Sequence, residues 1–349
     1  MSRKLAVNLT LSLLVGGVCV AYAVHGMDRH AVWEALRTLT PTTIAVYLVI
    51  LAFTHLFRAW RWEYLLRALG VSFPLGRLLL ISSAGFMAIL ALPVRLGELV
   101  RPYYVARERN VRMSAALGAV AVERIVDGLL ISIVFFVSYL ASAGDVFSRE
   151  LRAGAWLSLV GFTALTLFLV FAQIWTDRTI AVAQRLTLLH WLAPVRARQL
   201  GDKLRSLISG FRALSDRRNF SLFLLQSIVY WLLNGFGMWV LARQMDLPIS
   251  LGAAYTTMAF TGVVLSLPNS PGLVGQYHAA IKLALMAYLP AAVVNSRGIA
   301  YAIVLHGVQT IWYVALGFAS LPALSRTGAH TTLREAVRET IEHPSSDIG

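Results

Sequence analysis

Three groups of ionisable and polar residues interrupt stretches that are otherwise apolar, and their types suit holding an anion better than breaking a bond. The first is Arg95, Glu98 and Arg101, within FMAILALPVRLGELVR at 86–101. Steps of three bring this trio to one face if a helix restarts near Leu96. A guanidinium is a planar fork of donors that matches phosphate or carboxylate oxygens. The start of a half-helix there adds free N–H groups and positive dipole character. The bland alternative is an internal ion pair that only pins the break. The second group is Glu123, Arg124 and Asp127, in AVERIVDGLLI. Glu123 and Asp127 share a face. Ions so deep in a span are expected to pair with each other and with Arg95 or Arg101; the acids could also take up a proton or cation. The third group is Asn269, Ser270, Gly272, Gly275, Gln276, Tyr277, His278 and Lys282. It reads either as part of a site or as a core histidine with a snorkelling lysine. Arg58, Trp60, Arg61 and Trp62 read as interfacial anchors, with Arg58 and Arg61 also candidates for headgroup contact.

The composition says what must position these residues. The 349-residue chain is 58% hydrophobic and 14% charged, with a mean hydropathy of +0.68; a soluble domain carries about 25% charged residues. The net charge of +14 fits Lys and Arg gathered against anionic headgroups rather than against nucleic acid. Cys19 is the single cysteine, which excludes an intrachain disulfide and a cysteine metal site. Residues 5–24 read as a retained first span rather than a cleaved signal.

Apolar segments fall at 5–24, 41–57, 77–93, 115–140, 153–175, 219–242, 251–268, 272–289 and 298–320. The loops 58–77 and 107–112 are both rich in Arg, so both belong on the cytoplasmic side, and the segment between them must enter and return. Residues 176–218 hold nine Lys and Arg and are also cytoplasmic, whereas the weakly charged links 243–250 and 290–297 lie outside. The expected fold is therefore an all-α integral membrane protein: a bundle of six to eight transmembrane helices with two re-entrant broken-helix hairpins. Its membrane domain covers 1–320, with halves at about 41–140 and 219–320, a connector at 176–218 and a polar tail at 321–349. Both termini are expected to be cytoplasmic. Within 194–216 an apolar stripe predicts an amphipathic helix, lying on the inner leaflet or packing on the bundle. Thr332 is a candidate cap for a short helix in the tail.

The halves echo one another. RALGVSFPLG ends at Gly76 and RQMDLPISLG at Gly252; Pro93 and Gly97 are matched by Pro268 and Gly272; Asp127-Gly128 is matched by His306-Gly307. With the charge argument, this predicts two halves of inverted topology with broken helices at equivalent positions. Such a pattern points to a transporter-like core with its site at the repeat interface.

RAWRW at 58–62, LPVRLGELVRPY at 92–103, VERIVDG at 122–128 and LPNSPGLVGQYHAA at 267–280 together resemble the flippase-like membrane domain of lysylphosphatidylglycerol synthases, over about 5–320. The resemblance implies an inner-membrane protein that moves polar-headed lipids between leaflets. His278 stands where many members carry an acid, so the resemblance does not name the headgroup. No aminoacyl-transferase domain follows residue 320, so the chain is not expected to make lysyl-lipid by itself.

The expectation is thus a lipid translocase of the cell inner membrane that is not an enzyme and needs no cofactor or metal. Its ligand is a membrane lipid with an anionic or phosphate-bearing headgroup, and a cell-envelope lipid-modifying enzyme is a conceivable partner. The sequence contains no GxxxxGK[ST], HExxH or GxSxG motif. Two rivals stand beside this reading. One is a transferase acting on a lipid carrier with Asp28 or Glu34 as base; the other is a lipid-binding subunit of another enzyme.

Overall fold

The computed structural model describes residues 3–141, 147–186, 194–267 and 270–325. Thr332, the rest of the polar tail beyond Ser325, and Asn269 lie outside the described residues, and the side chain of Arg95 is not described either. The described part is helical. The elements are α1 (Arg3–Val24), α2 (Arg29–Arg37), α3 (Pro41–Arg67), α4 (Leu75–Ala91), α5 (Val100–Arg109), α6 (Met113–Ala141) and α7 (Arg149–Ile174). There follow α8 (Thr176–Leu186), α9 (Pro194–Ser209), α10 (Arg217–Gln244), α11 (Leu251–Ser266) and α12 (Gln276–Leu285). The last is α13 (Ala291–Ser325), which carries a π-helical turn at Val294–Gly298. Helices α3, α7, α10 and α13 are long and apolar enough to cross a membrane. Helix α6 matches them in length, with 29 residues, and differs by carrying three charges in its first half.

Helices α4, α5, α11 and α12 have 17, 10, 16 and 10 residues, each short of the roughly 20 needed to span a bilayer. They form two hairpins. Helix α4 ends at Pro93, whose ring cannot continue an α-helical ladder, and a 3-10 segment, Pro93–Leu99, leads into α5. Gly97 then lies directly on the backbone of Ala88 and Ile89, where any side chain would collide. Gly85 faces the Arg101 side chain. At the open end, Arg77 Nε donates to Glu108 Oε2 at 2.9 Å. These contacts step outward in antiparallel register, so the chain enters and returns. In the second hairpin Gln276 Nε2 donates to the Val264 carbonyl at 3.3 Å, and Tyr288 Oη to Thr256 Oγ1 at 2.8 Å. Its turn uses two left-handed glycines, Gly272 at φ +65° and Gly275 at φ +82°, which glycine adopts without a Cβ clash. The tips meet: a Cβ on Gly272 would stand 4.0 Å from the Leu90 carbonyl oxygen.

The halves are inverted relative to each other. Helix starts at 41 and 217, at 75 and 251, and at 100 and 276 share one interval of 176 residues. Helices α3 and α10 run antiparallel, since Thr43 donates to Gln244 and Gln226 donates to the Tyr64 hydroxyl. Helix α4 packs on α13, and α11 on α6, as the symmetry requires.

The connector packs on the bundle. Ser114 and Ser206 hydroxyls are 2.7 Å apart, and Gly118 and Gly210 let the backbones of α6 and the turn after α9 touch. Of the expected stripe, Phe211 is buried while Val195 is exposed. The restart expected near Leu96 falls instead at Val100, because the 3-10 segment intervenes.

Gly97→Val would drive a branched side chain into the Ala88–Ile89 backbone. The expected cost is about 3 kcal/mol or more, read as a lowered thermal midpoint of the purified protein in detergent. Gly252→Ala, which meets only Ser250 Oγ at 3.9 Å, should leave the midpoint nearly unchanged.

Candidate functional site

A buried ion network joins the first hairpin to three helices. Arg61, on α3, is fully buried. Its Nη2 donates to Asp127 Oδ2 at 2.6 Å and to Glu123 Oε1 at 2.9 Å, and its Nη1 donates to the second Asp127 oxygen. The same Nη1 donates to Ser227 Oγ, on α10, at 3.1 Å. Arg101, on α5, donates through Nη2 to Glu123 Oε2 at 2.7 Å. Trp231 Nε1, on α10, adds a bond to Asp127 Oδ1 at 3.0 Å. The fork on Asp127 is the strong bidentate form of such a pair. Aromatic faces cover the cations: Arg61 lies 4.6 Å from the Tyr230 ring centroid and Arg101 lies 4.7 Å from that of Trp62.

Arg61 and Trp62 therefore do not sit at a membrane boundary as their types suggested; both are at 0% exposure, while Trp60 next to them is exposed. Helical phase decides this, since neighbours on a helix point about 100° apart. Nor does the trio at 95–101 act as one face. Arg101 turns to Glu123, and Glu98 turns to Arg124, with Nε to Oε1 at 3.6 Å.

Beside the network lies a cavity of about 410 Å³. Its walls come from α3, α4, the 3-10 segment, α6, α7, α10, α11, α12 and α13, so it occupies the junction of the two hairpins and the two halves. Arg58, Glu98, Arg124 and Asp127 line one part of it. Arg58 has no carboxylate within ion-pair distance among the described residues. Its Nη1 donates to the Tyr313 hydroxyl at a long 3.4 Å, its Nε has no acceptor, and its Cζ rests 3.7 Å from the Phe86 ring centroid. Arg58, Arg61, Arg101 and Arg124 outnumber Glu98, Glu123 and Asp127 by one, so the described side chains leave a net positive charge here. Glu98, Arg124 and Ile125 also line a second, more open groove of about 460 Å³ that is otherwise apolar, between residues 96–99 and α6.

The second hairpin contributes unevenly. Tyr277 lines the cavity, stacked on His306 with centroids 4.9 Å apart, and its hydroxyl donates to Gln309 Oε1 at 3.2 Å. Gln309 donates on to the Tyr47 hydroxyl at 2.7 Å. The Gly272 carbonyl accepts from His306 Nε2 at 2.9 Å, which fixes the proton on that nitrogen. His278 stands behind His306, edge-on, and is not a cavity wall. Lys282 is also away from the cavity. Its ammonium donates to the carbonyls of Tyr22, Ala23 and His25 at 3.2, 3.2 and 2.6 Å, closing the end of α1. Asp28 caps α2 through Ala31 N at 3.0 Å, and Glu34 pairs with His30 on the surface. Among the described residues no group of three or more His, Cys, Asp or Glu could hold a metal ion.

Tyr230, Trp231, Asn234, Thr261, Thr310 and Tyr313 are cavity residues that motif spacing did not single out. One signal was available: Asn234 stands on α10 where Arg58 stands on α3, at the same interval of 176 residues as the helix starts.

The fold and site define a class: a multi-pass, all-α membrane protein of two inverted halves enclosing a polar, cationic cavity. The chain belongs to the family described as the lysylphosphatidylglycerol synthase TM region, whose model matches residues 9–317. It is also similar to Glycosyltransferase AglD of Haloferax volcanii, with 25% identity over 366 aligned residues, 96% of this chain and 57% of that protein. The chain thus spans little more than half the length of that relative. No solved structure matches. Membership places the chain among membrane proteins connected with lipid modification.

Arg61→Met would leave Asp127 and one oxygen of Glu123 buried without their main partner. The expected loss is about 3–5 kcal/mol, measured as thermal stability in detergent. Arg61→Lys should rescue little, because an ammonium cannot reproduce the fork. An Arg61→Met protein as stable as the parent would show that the network is not what joins these helices.

Proposed function

We propose that this chain is a lipid translocase without a nucleotide-driven motor, moving a phosphate-bearing lipid between leaflets of the cell inner membrane, with both termini cytoplasmic. The observation that carries the reading is Arg58: a cation facing a cavity at the junction of two inverted hairpins, with no carboxylate to neutralise it. An incoming phosphate would take the vacant donors of Arg58 and approach Arg124, whose 3.6 Å pairing with Glu98 is loose enough to open. The lipid tails would lie in the apolar groove that shares Glu98, Arg124 and Ile125 with the cavity. A headgroup could then cross between the leaflets while its chains stay in the bilayer. Glu123 and Asp127 hold Arg61 and Arg101 in place, so their role in this scheme is structural.

In this reading the chain has no catalytic residue. A transferase is favoured by the name of the AglD relative, whose activity can reside in the part that this chain does not match. The acids named for that role, Asp28 and Glu34, are engaged in a helix cap and a surface pair remote from the cavity.

The test reconstitutes the full chain in liposomes with a headgroup-labelled phosphate lipid and follows loss of label from the inner leaflet. Arg58→Gln should slow exchange at least tenfold, and Arg58→Lys less. Arg178→Gln, on α8, should exchange like the parent. A parent protein no faster than protein-free vesicles removes translocation, and transfer of labelled sugar to lipid by the same preparation would put a transferase in its place.

A further inference from the structure

The cavity has two chemically different parts, and the division follows the repeat. Every charged side chain lining it comes from the first half: Arg58, Glu98, Arg124 and Asp127. From α10 to α13, all the lining side chains are neutral or imidazole. The second half is still polar. Thr261 is buried at 4% exposure, and neither its hydroxyl nor that of Thr310 has a hydrogen-bond partner among the described residues. The Asn234 amide likewise has none. His306, with its proton fixed on Nε2 by the Gly272 carbonyl, presents Nδ1 as an acceptor when neutral. Threonine in a helix normally bonds its hydroxyl back to the preceding turn, as Thr256 and Thr257 do. Thr261 and Thr310 leave that bond unmade at the cavity wall. Their separation from the cation follows from helix geometry: His306 lies seven residues before Tyr313, the Arg58 partner, which is about 10 Å along α13.

An unpaired buried hydroxyl or amide costs roughly 1–3 kcal/mol until something satisfies it. Hydroxyl groups satisfy it best, since each donates and accepts. An ammonium would find only carboxylates already committed, Glu98 to Arg124 and Asp127 to Arg61, and would be repelled by Arg58. We infer that the headgroup this cavity takes joins a phosphate to an uncharged, hydroxyl-rich group, a sugar or polyol phosphate ester, and not to an amine. The inference rests on the proposed function only for the lipid and its phosphate; its own content is the group beyond the phosphate.

The experiment measures binding, not transport. The purified full chain in nanodiscs is titrated with phosphatidic acid, phosphatidylethanolamine, phosphatidylinositol and a hexosyl phosphate lipid, with matched chains where the lipid type allows. At least one of the two hydroxyl-rich lipids should bind about tenfold tighter than phosphatidic acid and phosphatidylethanolamine; which one does so separates a polyol from a sugar. Thr261→Val, Thr310→Val and Asn234→Leu should each reduce that advantage severalfold without weakening phosphatidic acid, whereas Arg58→Gln should weaken every phosphate lipid. Thr261→Ser, which restores a hydroxyl, should restore the preference and guards against a folding defect. Equal affinity for phosphatidic acid and the hydroxyl-rich lipids would overturn the inference while leaving a phosphate site intact. Preferential binding of phosphatidylethanolamine would overturn it outright. Absence of transport together with the hydroxyl preference would sink the translocase reading and leave this one standing.

Discussion

The fork of Arg61 on Asp127 and Glu123 is the interaction on which the architecture depends. Removing such ions from water costs several kcal/mol each, and only near-complete pairing offsets it. That demand sets the geometry. Glu123 must reach Arg61 on α3 and Arg101 on α5 at once. Asp127 must reach the same Arg61 and Trp231 on α10. One acid therefore fixes the returning limb of the first hairpin, and the other fixes the antiparallel α3–α10 pair that crosses the molecule. Hydrophobic contact alone is weakly directional and offers little drive between helices already in lipid. The ion network supplies the position that packing leaves open.

The two halves share a backbone plan and diverge in chemistry. The interval of 176 residues that relates their helix starts places Arg58 against Asn234 and Arg101 against Tyr277. Asp127 and His306 correspond at a slightly longer interval, and the π turn at Val294–Gly298 accommodates the extra length, since a π turn holds one more residue than an α turn. In each pair the first half carries the charge and the second a neutral polar group. An inverted repeat with identical linings would offer the same chemistry on both sides of the junction. This one grades from cationic to hydroxylic.

Much of the plan was legible in the sequence. Pro93 and Gly97, matched by Pro268 and Gly272, mark both breaks, and proline and glycine act through the backbone, where no tertiary context can override them. Charge asymmetry of the loops gave the hairpins and their opposite sense. The partners were harder to read. Arg58 and Arg61 look alike beside Trp60 and Trp62, and their three-residue step hides a change of environment that depends on which neighbour each face meets. Arg61 found two acids more than sixty residues away; Arg58 found aromatic rings and a cavity. Lys282 shows the same limit. Its place after the matched break suggested a site, but the carbonyls it closes belong to α1, which lies outside the repeat and packs against α12. Side-chain periodicity identifies a face; it does not identify what the face meets.

Arg58 raises the question of why a cation without a counterion persists in a protein that pairs its other buried charges so closely. Part of the answer is the ring of Phe86 at 3.7 Å, with Tyr230 and Tyr313 at 5.8 and 5.7 Å. Aromatic faces stabilise a desolvated guanidinium by about 2 kcal/mol at most sites, less than a carboxylate would. They also leave its hydrogen-bond donors largely unused, as the unpaired Nε does here. A carboxylate in their place would neutralise the charge and occupy the fork, and the cavity would no longer attract an anion. Aromatic support keeps the cation tolerable and still available. A binding site that must release its ligand on the far side needs that compromise, because a donor set fully satisfied in the empty state has nothing to offer, and one left entirely bare would hold too tightly.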